Sequence, residues 1–224
     1  MARSKKVETI VEEMDTLPVS KKAGLRMAVR CELITDMLGT APSNPMIYSD
    51  FVASHAPDAP SREEEIAAVG AGEYEDRQMT VFLRDEDGDP VICDYQIKGF
   101  FKDACSMLKR VPGTKCSEIK AYKKIIDGCL FVYPRFIKIE YDGDMDVKQR
   151  SLRASTPQGD RIALASSEMI HEGAVLEFEV ELLNKKDRDF VIECLDYGEK
   201  RGFCQWRNAG FGRFMYTIVS EEEC

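Results

Sequence analysis

The stretch VLEFEVELLNKKDRDFVIECLDYGEKRGFCQWRNAGFGRF occupies residues 175–214 and decides the fold. Residues 175–183 alternate apolar and acidic side chains, which predicts a half-buried strand. Asn184 is suited to cap a helix, and the helix is expected to end at Gly198. Residues 213–219 are predicted to form a last strand. The sequence therefore predicts a strand, a helix, a glycine-containing basic loop and a strand, in that order.

The loop of this unit, RGFCQWRNAGFGRF at residues 201–214, concentrates three arginines, three glycines and the only tryptophan of the chain. The glycines can adopt positive φ and permit close approach of another backbone. The arginines offer planar groups that suit phosphate, and the indole can stack on a base. The candidate RNA-binding residues here are Arg201, Gly202, Trp206, Arg207, Gly210, Gly212 and Arg213. The alternative is a tight connection with an exposed aromatic residue.

This arrangement resembles the RAMP superfamily, the RNA-binding subunits of CRISPR effector complexes. Their signature lies between the last helix and the last strand: apolar-Gly-x-Gly, five residues including Lys or Arg, then Gly-x-Gly. Gly202, Gly210 and Gly212 match it, and Arg207 lies in the spacer. Cys204 replaces the second glycine and Arg201 replaces the apolar residue, so some difference in loop shape is expected.

A second segment is similar to the start of the first helix of RAMP backbone subunits. Residues 97–102 read Ile-Lys-Gly-Phe-Phe-Lys, within a helix predicted over residues 96–110 by its apolar spacing. In that family this helix start faces RNA, so the resemblance implies RNA contacts for Lys98, Gly99 and Lys102. The alternative is an ordinary amphipathic helix with solvated lysines.

The remaining patterns complete an α+β chain. Residues 25–34 alternate as a strand, residues 79–83 and 90–93 flank a hairpin turn, and further strands are expected at 129–133 and 136–140. The resemblance implies a ferredoxin-like, RRM-like βαββαβ core with two large insertions and a C-terminal glycine-rich loop. The expected division is an N-terminal extension (1–23), one domain (24–219) with insertions at about 41–78 and 111–170, and a tail (220–224).

Composition limits the classes of function. The chain has 224 residues, 44% of them hydrophobic and 32% charged, an ordinary balance for a globular protein. No apolar run is long enough to span a bilayer, and the charged N-terminus does not read as a secretory signal, so we expect a cytoplasmic protein. The eight cysteines include no CxxC pair, which argues against a zinc knuckle. The net charge of −9 argues against tight non-specific binding of nucleic acid and leaves a basic protein surface open as a partner.

Catalytic and metal signals are weak. The two histidines are His55, in a proline-rich loop, and His171, in a turn before a strand. Asp36, after the first strand, is the one position to nominate by analogy with RAMP subunits that cut RNA with a loop aspartate. The acidic runs at 85–89 and 141–146 lack the spacing of an EF-hand. We therefore expect no catalytic residue, no metal and no cofactor.

Three functions remain open. The first is a non-catalytic RNA-binding RAMP-like protein that holds guide or single-stranded RNA, alone or with other CRISPR effector subunits or copies of itself. Arg150, Arg153 and Arg161, on a hairpin predicted over residues 148–164, would extend its groove. The second is an acidic, phage-encoded decoy or inhibitor of the anti-CRISPR type, acting through protein contacts. The third is a metal-independent endoribonuclease that uses His55 or His171.

Overall fold

The computed structural model describes residues 24–43, 79–156 and 159–224, with the backbone alone for residues 152–156 and 159–163. The chain is a mixed α+β protein with two largely antiparallel sheets and few helices. The strands are β1 (Leu25–Leu33), β2 (Met37–Leu38), β3 (Ala41–Pro42), β4 (Thr80–Val81), β5 (Leu83–Arg84), β6 (Pro90–Cys93), β7 (Leu130–Tyr133), β8 (Phe136–Glu140), β9 (Asp146–Thr156), β10 (Gly159–Ile170), β11 (Val175–Leu182) and β12 (Phe214–Glu223). The helices are α1 (Asp94–Leu108), α2 (Lys115–Glu118), α3 (Tyr122–Gly128) and α4 (Arg188–Arg201), with 3₁₀ turns at Lys185–Asp187 and Arg207–Ala209.

The main sheet has seven strands in the order β12-β1-β11-β8-β6-β5, and β7 also pairs with β11. Both neighbours of β1 are antiparallel to it. The alternation that predicted β1 and β11 is confirmed, because Met27, Val29, Phe178 and Val180 are buried on one side of the sheet. Strands β7 and β8 lie inside the insertion expected at 111–170, but they belong to this sheet.

Helices α1 and α4 cover the buried side of the main sheet. The aromatic centre of the core joins these two helices to the residues before β12. Phe203 stacks on Phe214 with ring centroids 4.0 Å apart, and Phe100 of α1 meets both rings edge-on. This cluster fixes both ends of the segment between α4 and β12, since Phe203 follows the helix and Phe214 begins the strand.

The second sheet lies beside the end of the main sheet. Its order is β2-β10-β4-β3, and β9 pairs with β10 along the long hairpin that the sequence predicted. Strand β2 leaves the end of β1 after three residues, so the second sheet starts where the main sheet stops. The two sheets therefore meet near residues 34–40.

Several predicted boundaries differ from the structure, and the strand predicted at 79–83 is divided between β4 of the second sheet and β5, which pairs with β6. Helix α1 begins at Asp94 instead of residue 96, because the Gln96 side chain accepts a hydrogen bond from the Cys93 amide at 2.8 Å and closes the first turn. Helix α4 does not end at Gly198 but continues to Arg201, with Gly202 as its C-cap. Strand β12 runs on to Glu223, since it pairs with β1 along its full length.

The two ends of the described core meet. The Gly24 amide donates to the Cys224 carbonyl at 3.1 Å, and the Cys224 amide donates to the Gly24 carbonyl at 3.3 Å. Residues 1–23 and 44–78 lie outside the described residues, and so do the N-terminal extension, most of the first predicted insertion, and His55.

Candidate functional site

The segment between α4 and β12, called here the 202–213 connection, is folded tightly on itself. The Phe203 amide donates to the Gly212 carbonyl at 2.8 Å, which brings the two ends of the segment together. Gly202 has φ +75° and Gly212 has φ +72°. A Cβ on Gly202 would overlap the carbonyl of Gly212, and a Cβ on Gly212 would overlap the carbonyl oxygen of Phe203. These two glycines are therefore required by both conformation and space.

Three further residues of the connection adopt left-handed backbone conformations. Gly210 has φ +90°, Cys204 has φ +58° and Trp206 has φ +56°. Cys204 stands where the RAMP signature has its second glycine, and it adopts the conformation that a glycine favours. The amides of Phe203, Gly210 and Gly212 already donate to carbonyl groups of the protein, so these conformations serve the tight folding of the connection.

The loop after β1 holds the connection from one side. The Thr35 hydroxyl donates to the Gly210 carbonyl at 2.8 Å and accepts from the Arg213 amide at 2.9 Å. The Gly212 amide donates to the carbonyl of Asp36 at 2.7 Å. The position of the connection is thus fixed by residues 34–36.

The second sheet holds the connection from another side through Gln205. The side-chain nitrogen of Gln205 donates to the Gly39 carbonyl and to the Thr80 hydroxyl at 2.7 Å, and the Ser167 hydroxyl lies 3.0 Å from the same nitrogen. The side-chain oxygen of Gln205 accepts a hydrogen bond from Arg150 Nη2 at 3.1 Å. Gln205 therefore ties the main sheet to the second sheet.

Trp206 has contacts within the protein that limit its use as a stacking platform. Its ring lies against Phe211, with centroids 5.0 Å apart and planes 17° from parallel. The Arg150 guanidinium lies over the same ring, 4.7 Å from its centroid. These contacts favour the interpretation that Trp206 braces the connection, with 36% of the residue left exposed.

Two of the candidate arginines share one acid. Arg201 Nε and Arg207 Nη1 lie 2.8 and 2.9 Å from the same oxygen of Asp103, on α1. Arg201 also donates to the side chain of Asn208, and hydrogen bonding to Asp103 raises the pKa of Arg201. This cluster keeps one net positive charge, but both guanidinium groups are already oriented by the protein.

Arg213 and Arg150 form no ion pair among the described residues. The Nε atom of Arg213 and the Nε and Nη1 atoms of Arg150 are buried N–H donors with no acceptor in that part of the chain. Arg213 lies against Gly210, where an added Cβ would be 3.3 Å from its Nη2. Burial without an acidic neighbour lowers the pKa of Arg150. Arg150 uses only its Nη2 atom, towards Gln205, so N–H groups without an acceptor remain on both guanidinium groups, and such groups are suited to an anion.

The structure separates the three candidates on α1. Lys98 lies over the ring of Phe131, 4.9 Å from its centroid, and Lys102 forms an ion pair with Asp127. Gly99 is one position further along the helix, about 100° around it, and shares its face with Asp103. Gly99 is therefore on the side of the connection, whereas the two lysines point towards β7 and α3.

His171 and Asp36, nominated separately, are neighbours. His171 Nδ1 lies 3.4 Å from Asp36 and its Nε2 lies 3.0 Å from Asp146. Hydrogen bonding to Asp36, together with Asp146, raises the pKa of His171. The group is exposed and adjoins the connection through the Asp36 carbonyl. Among the described residues no set of three His, Cys, Asp or Glu side chains is placed to hold a metal ion.

Sequence reasoning missed Asp103, Gln205 and Phe211. Asp103 follows Lys102 directly, and helical spacing from Gly99 could have marked it as sharing that face. Nothing local indicates that Gln205 reaches the second sheet, because its partners come from three distant parts of the chain. The side chains of Arg153 and Arg161 lie outside the described residues.

The comparisons with known proteins bear on the fold class. No protein-family model matches the chain. No curated protein matches it either. Among solved structures, it is similar to a chain of the cryo-EM structure of the Type III-B Cmr-beta bound to cognate target RNA, with a TM-score of 0.51 at 11% identity. The match covers 97% of this chain and 66% of that one, so this chain spans about two thirds of its length.

At this identity the likeness concerns the fold alone, and it is compatible with the resemblance drawn from the sequence. None of the helices in the described ranges has the length and apolar character that crossing a membrane requires.

Proposed function

We propose that this chain is a non-catalytic RNA-binding protein of the RAMP type, in which the 202–213 connection and its neighbouring arginines hold the phosphates of single-stranded RNA. The observation that carries the proposal is the pair Arg150 and Arg213. Both border the connection, neither forms an ion pair among the described residues, and both have buried N–H groups without an acceptor. Phosphate oxygens are the acceptors that such groups bind best.

The strand order supports a ferredoxin-like core for this protein. The six elements of such a core would be β1, α1, the pair β7 and β8, β11, α4 and β12. The four strand positions then lie in the sheet in the order fourth, first, third and second. This is the arrangement expected of a βαββαβ fold. The likeness to a chain of the Type III-B Cmr-beta structure adds support, and guide RNA and other subunits of a CRISPR-type complex are the partners we propose. If the core is divided in this way, the single domain ends at Glu223 instead of residue 219. The second insertion then comprises residues 146–170 instead of about 111–170.

Gly99 also supports the proposal, because the packing of the protein does not explain a glycine at this position. It lies within α1, where glycine costs about 1 kcal/mol relative to alanine. Among the described residues, no atom outside the adjoining turns of α1 lies within 4 Å of the position its Cβ would occupy. The described fold does not need a glycine there, whereas close approach of an RNA backbone would.

RNA titrations test the arginine pair. A fluorescein-labelled oligouridine is titrated with the full chain at several salt concentrations, and binding is followed by fluorescence anisotropy. The double variant Arg150→Gln with Arg213→Gln is expected to bind more weakly, with a salt slope lower by about 1.4, because each phosphate contact on single strands contributes about 0.7. Arg188→Gln is the control, since Arg188 pairs with Glu221 far from the connection. Equal affinity and slope in all three proteins would refute the site.

Gly99→Ala provides a second test in which stability and binding move apart. The variant is expected to be more stable by about 1 kcal/mol in urea, because alanine favours a helix. RNA binding is expected to weaken, because the methyl group occupies the approach to the helix. A more stable protein with unchanged RNA binding would remove α1 from the interface.

The contact of His171 with Asp36 favours a second candidate function, a metal-independent endoribonuclease. In such a reaction Asp36 would take the proton of the 2′ hydroxyl, whose oxygen attacks the phosphorus, and the 2′,3′-cyclic phosphate would form as the bond to the 5′ oxygen breaks. The raised pKa of His171 suits the general acid that protonates that leaving 5′ oxygen. The test is incubation of labelled RNA with the protein in EDTA, beside His171→Ala and Asp36→Asn. Cleavage that both substitutions abolish supports the enzyme, and intact RNA in every sample excludes it.

A further inference from the structure

The side of the main sheet that faces away from α1 and α4, called here the outer face, is acidic. On this side, four rows of paired residues run across the antiparallel strands β12, β1 and β11, and the last row extends to β8. The rows are Glu222–Arg26–Glu181, Ser220–Ala28–Glu179, Thr217–Arg30–Glu177 and Met215–Glu32–Val175–Glu140. They contain six glutamates and two arginines, which leaves four net negative charges. Glu32, Glu140 and Glu222 form no ion pair among the described residues.

A groove of about 410 Å³ lies in the middle of this acidic surface. Its lining includes four apolar residues and two acids: Ala28, Tyr133, Pro134, Val219, Glu177 and Glu179. Val219 is 62% exposed and Tyr133 is 43% exposed, so the apolar lining is accessible. This set of residues is called here the outer groove.

We propose that the outer groove binds a segment of another protein in which basic side chains alternate with aliphatic ones. The aliphatic stem of an arginine or lysine would lie along Val219 and Tyr133 while its charged group reaches Glu177 or Glu179. The protein already shows this geometry once, because Arg26 lies over the Tyr133 ring at 5.6 Å and pairs with Glu179 at 3.5 Å. The volume of the groove accommodates a few side chains rather than a folded domain.

Charge decides between protein and RNA as the occupant. An RNA strand would bring one negative charge per nucleotide to a surface that already carries four in excess, and the interaction would be repulsive. A basic segment is attracted by the same surface, and the field would also speed its encounter with the protein. The outer groove is thus distinct from the connection, and it gives the protein-contact alternative a specific location.

Peptide binding tests the groove without the partner. The probe is a fluorescein-labelled peptide that repeats the dipeptide Arg-Val, titrated with the full chain and followed by anisotropy. The double variant Glu177→Gln with Glu179→Gln is expected to weaken binding at least about fivefold, since two charge pairs with the peptide are lost. It also frees Arg30 and Arg26, which pair with Glu177 and Glu179 and would then repel the peptide. The control is Glu86→Gln with Asp142→Asn, which removes the same charge from two exposed turns and should change affinity less than about twofold.

Each other outcome overturns the proposal. Equal losses in the two double variants would mean that net charge alone attracts the peptide. Absence of peptide binding to the unsubstituted chain would also refute the groove. Tighter peptide binding after deletion of residues 1–23 would identify that segment of the chain as the occupant. A fall in oligouridine binding in the Glu177 and Glu179 variant would identify RNA as the ligand, whereas unchanged oligouridine binding keeps this test independent of the proposed RNA site.

Discussion

Replacing Gly212 with alanine tests whether the 202–213 connection depends on close contact between its two ends. Gly212 has φ +72°, and its Cβ would overlap the carbonyl oxygen of Phe203. Gly173→Ala is the matched control, because Gly173 has φ +88° but, its two chain neighbours apart, no atom of the described residues lies within 4 Å of its Cβ position. Both variants place alanine in a left-handed backbone conformation, but only Gly212→Ala also creates a steric overlap.

The expected magnitudes follow from those two costs. A left-handed conformation costs a non-glycine residue about 1–2 kcal/mol, and this applies to both variants. At Gly212 the methyl group also forces the backbone apart, at about 1–3 kcal/mol for overpacking. The hydrogen bond from the Phe203 amide to the Gly212 carbonyl, 2.8 Å long, would be lost at about 1 kcal/mol. We expect a loss of about 3–6 kcal/mol for Gly212→Ala, the sum of the three contributions, and about 1–2 kcal/mol for Gly173→Ala, which has the first alone.

Urea unfolding measures both variants with two signals. Trp206 is the only tryptophan and lies inside the connection, so its fluorescence reports this segment, while far-ultraviolet circular dichroism reports the whole fold. With a slope of about 2 kcal/mol per molar urea, a loss of about 3 kcal/mol lowers the midpoint by about 1.5 M. If the connection unfolds locally in Gly212→Ala, the fluorescence transition precedes the dichroism transition. If Gly212→Ala had the same urea midpoint as Gly173→Ala, the predicted cost of steric overlap at Gly212 would be refuted.

Two further substitutions have expected outcomes. Gly198→Ala should destabilise the protein by about 1–3 kcal/mol in the same urea assay, although alanine favours helices, because the new methyl group would overlap the ring of Phe214; a gain in stability would contradict that packing. His171→Asn should lower stability most at about pH 5.5–6.5 and progressively less as the pH rises through the raised pKa of His171. The reason is that the two carboxylates of Asp36 and Asp146 stabilise the protonated ring. Urea midpoints measured across this pH range would contradict it if the difference between His171→Asn and the unsubstituted protein grew with pH.

Local patterns predicted the strands of the main sheet well. In β1 and β11 each side chain faces either the helices or the solvent, so burial alternates with a period of two residues that the sequence displays directly. The same reasoning located the hairpin of β9 and β10. These features depend on neighbours in sequence, which is why composition and spacing sufficed.

The end of α4 could not be predicted in this way. Gly198 and Gly202 are both glycines near the end of one helical pattern, and either can stop a helix. Gly198 instead provides space for the ring of Phe214, sixteen positions further along, while Gly202 adopts the C-cap conformation. The choice depends on packing between α4 and β12, which the spacing of apolar residues does not contain.

The electrostatics of the candidate site depended on still longer-range contacts. Arg201 and Arg207 were predicted as phosphate ligands from their type and position, but Asp103 of α1 already pairs with both. Arg150 was predicted only as an extension of the groove, yet it lies over Trp206 because the second sheet contacts the connection. Sequence spacing thus located the segment, whereas the charge available on each arginine followed from the tertiary contacts.

The hydrogen bonds that join Gly24 to Cys224 hold a cysteine suitable for labelling at a defined place in the fold. Cys224 is exposed, whereas the other seven cysteines are buried or half-buried, so a thiol-reactive dye would label it selectively. It lies beside the first residue of β1, and the connection lies beyond the last, about 30 Å away for nine extended residues. That separation is within reach of energy transfer between dyes, so a label at Cys224 and another on a bound oligonucleotide would report where along the molecule the strand enters and leaves.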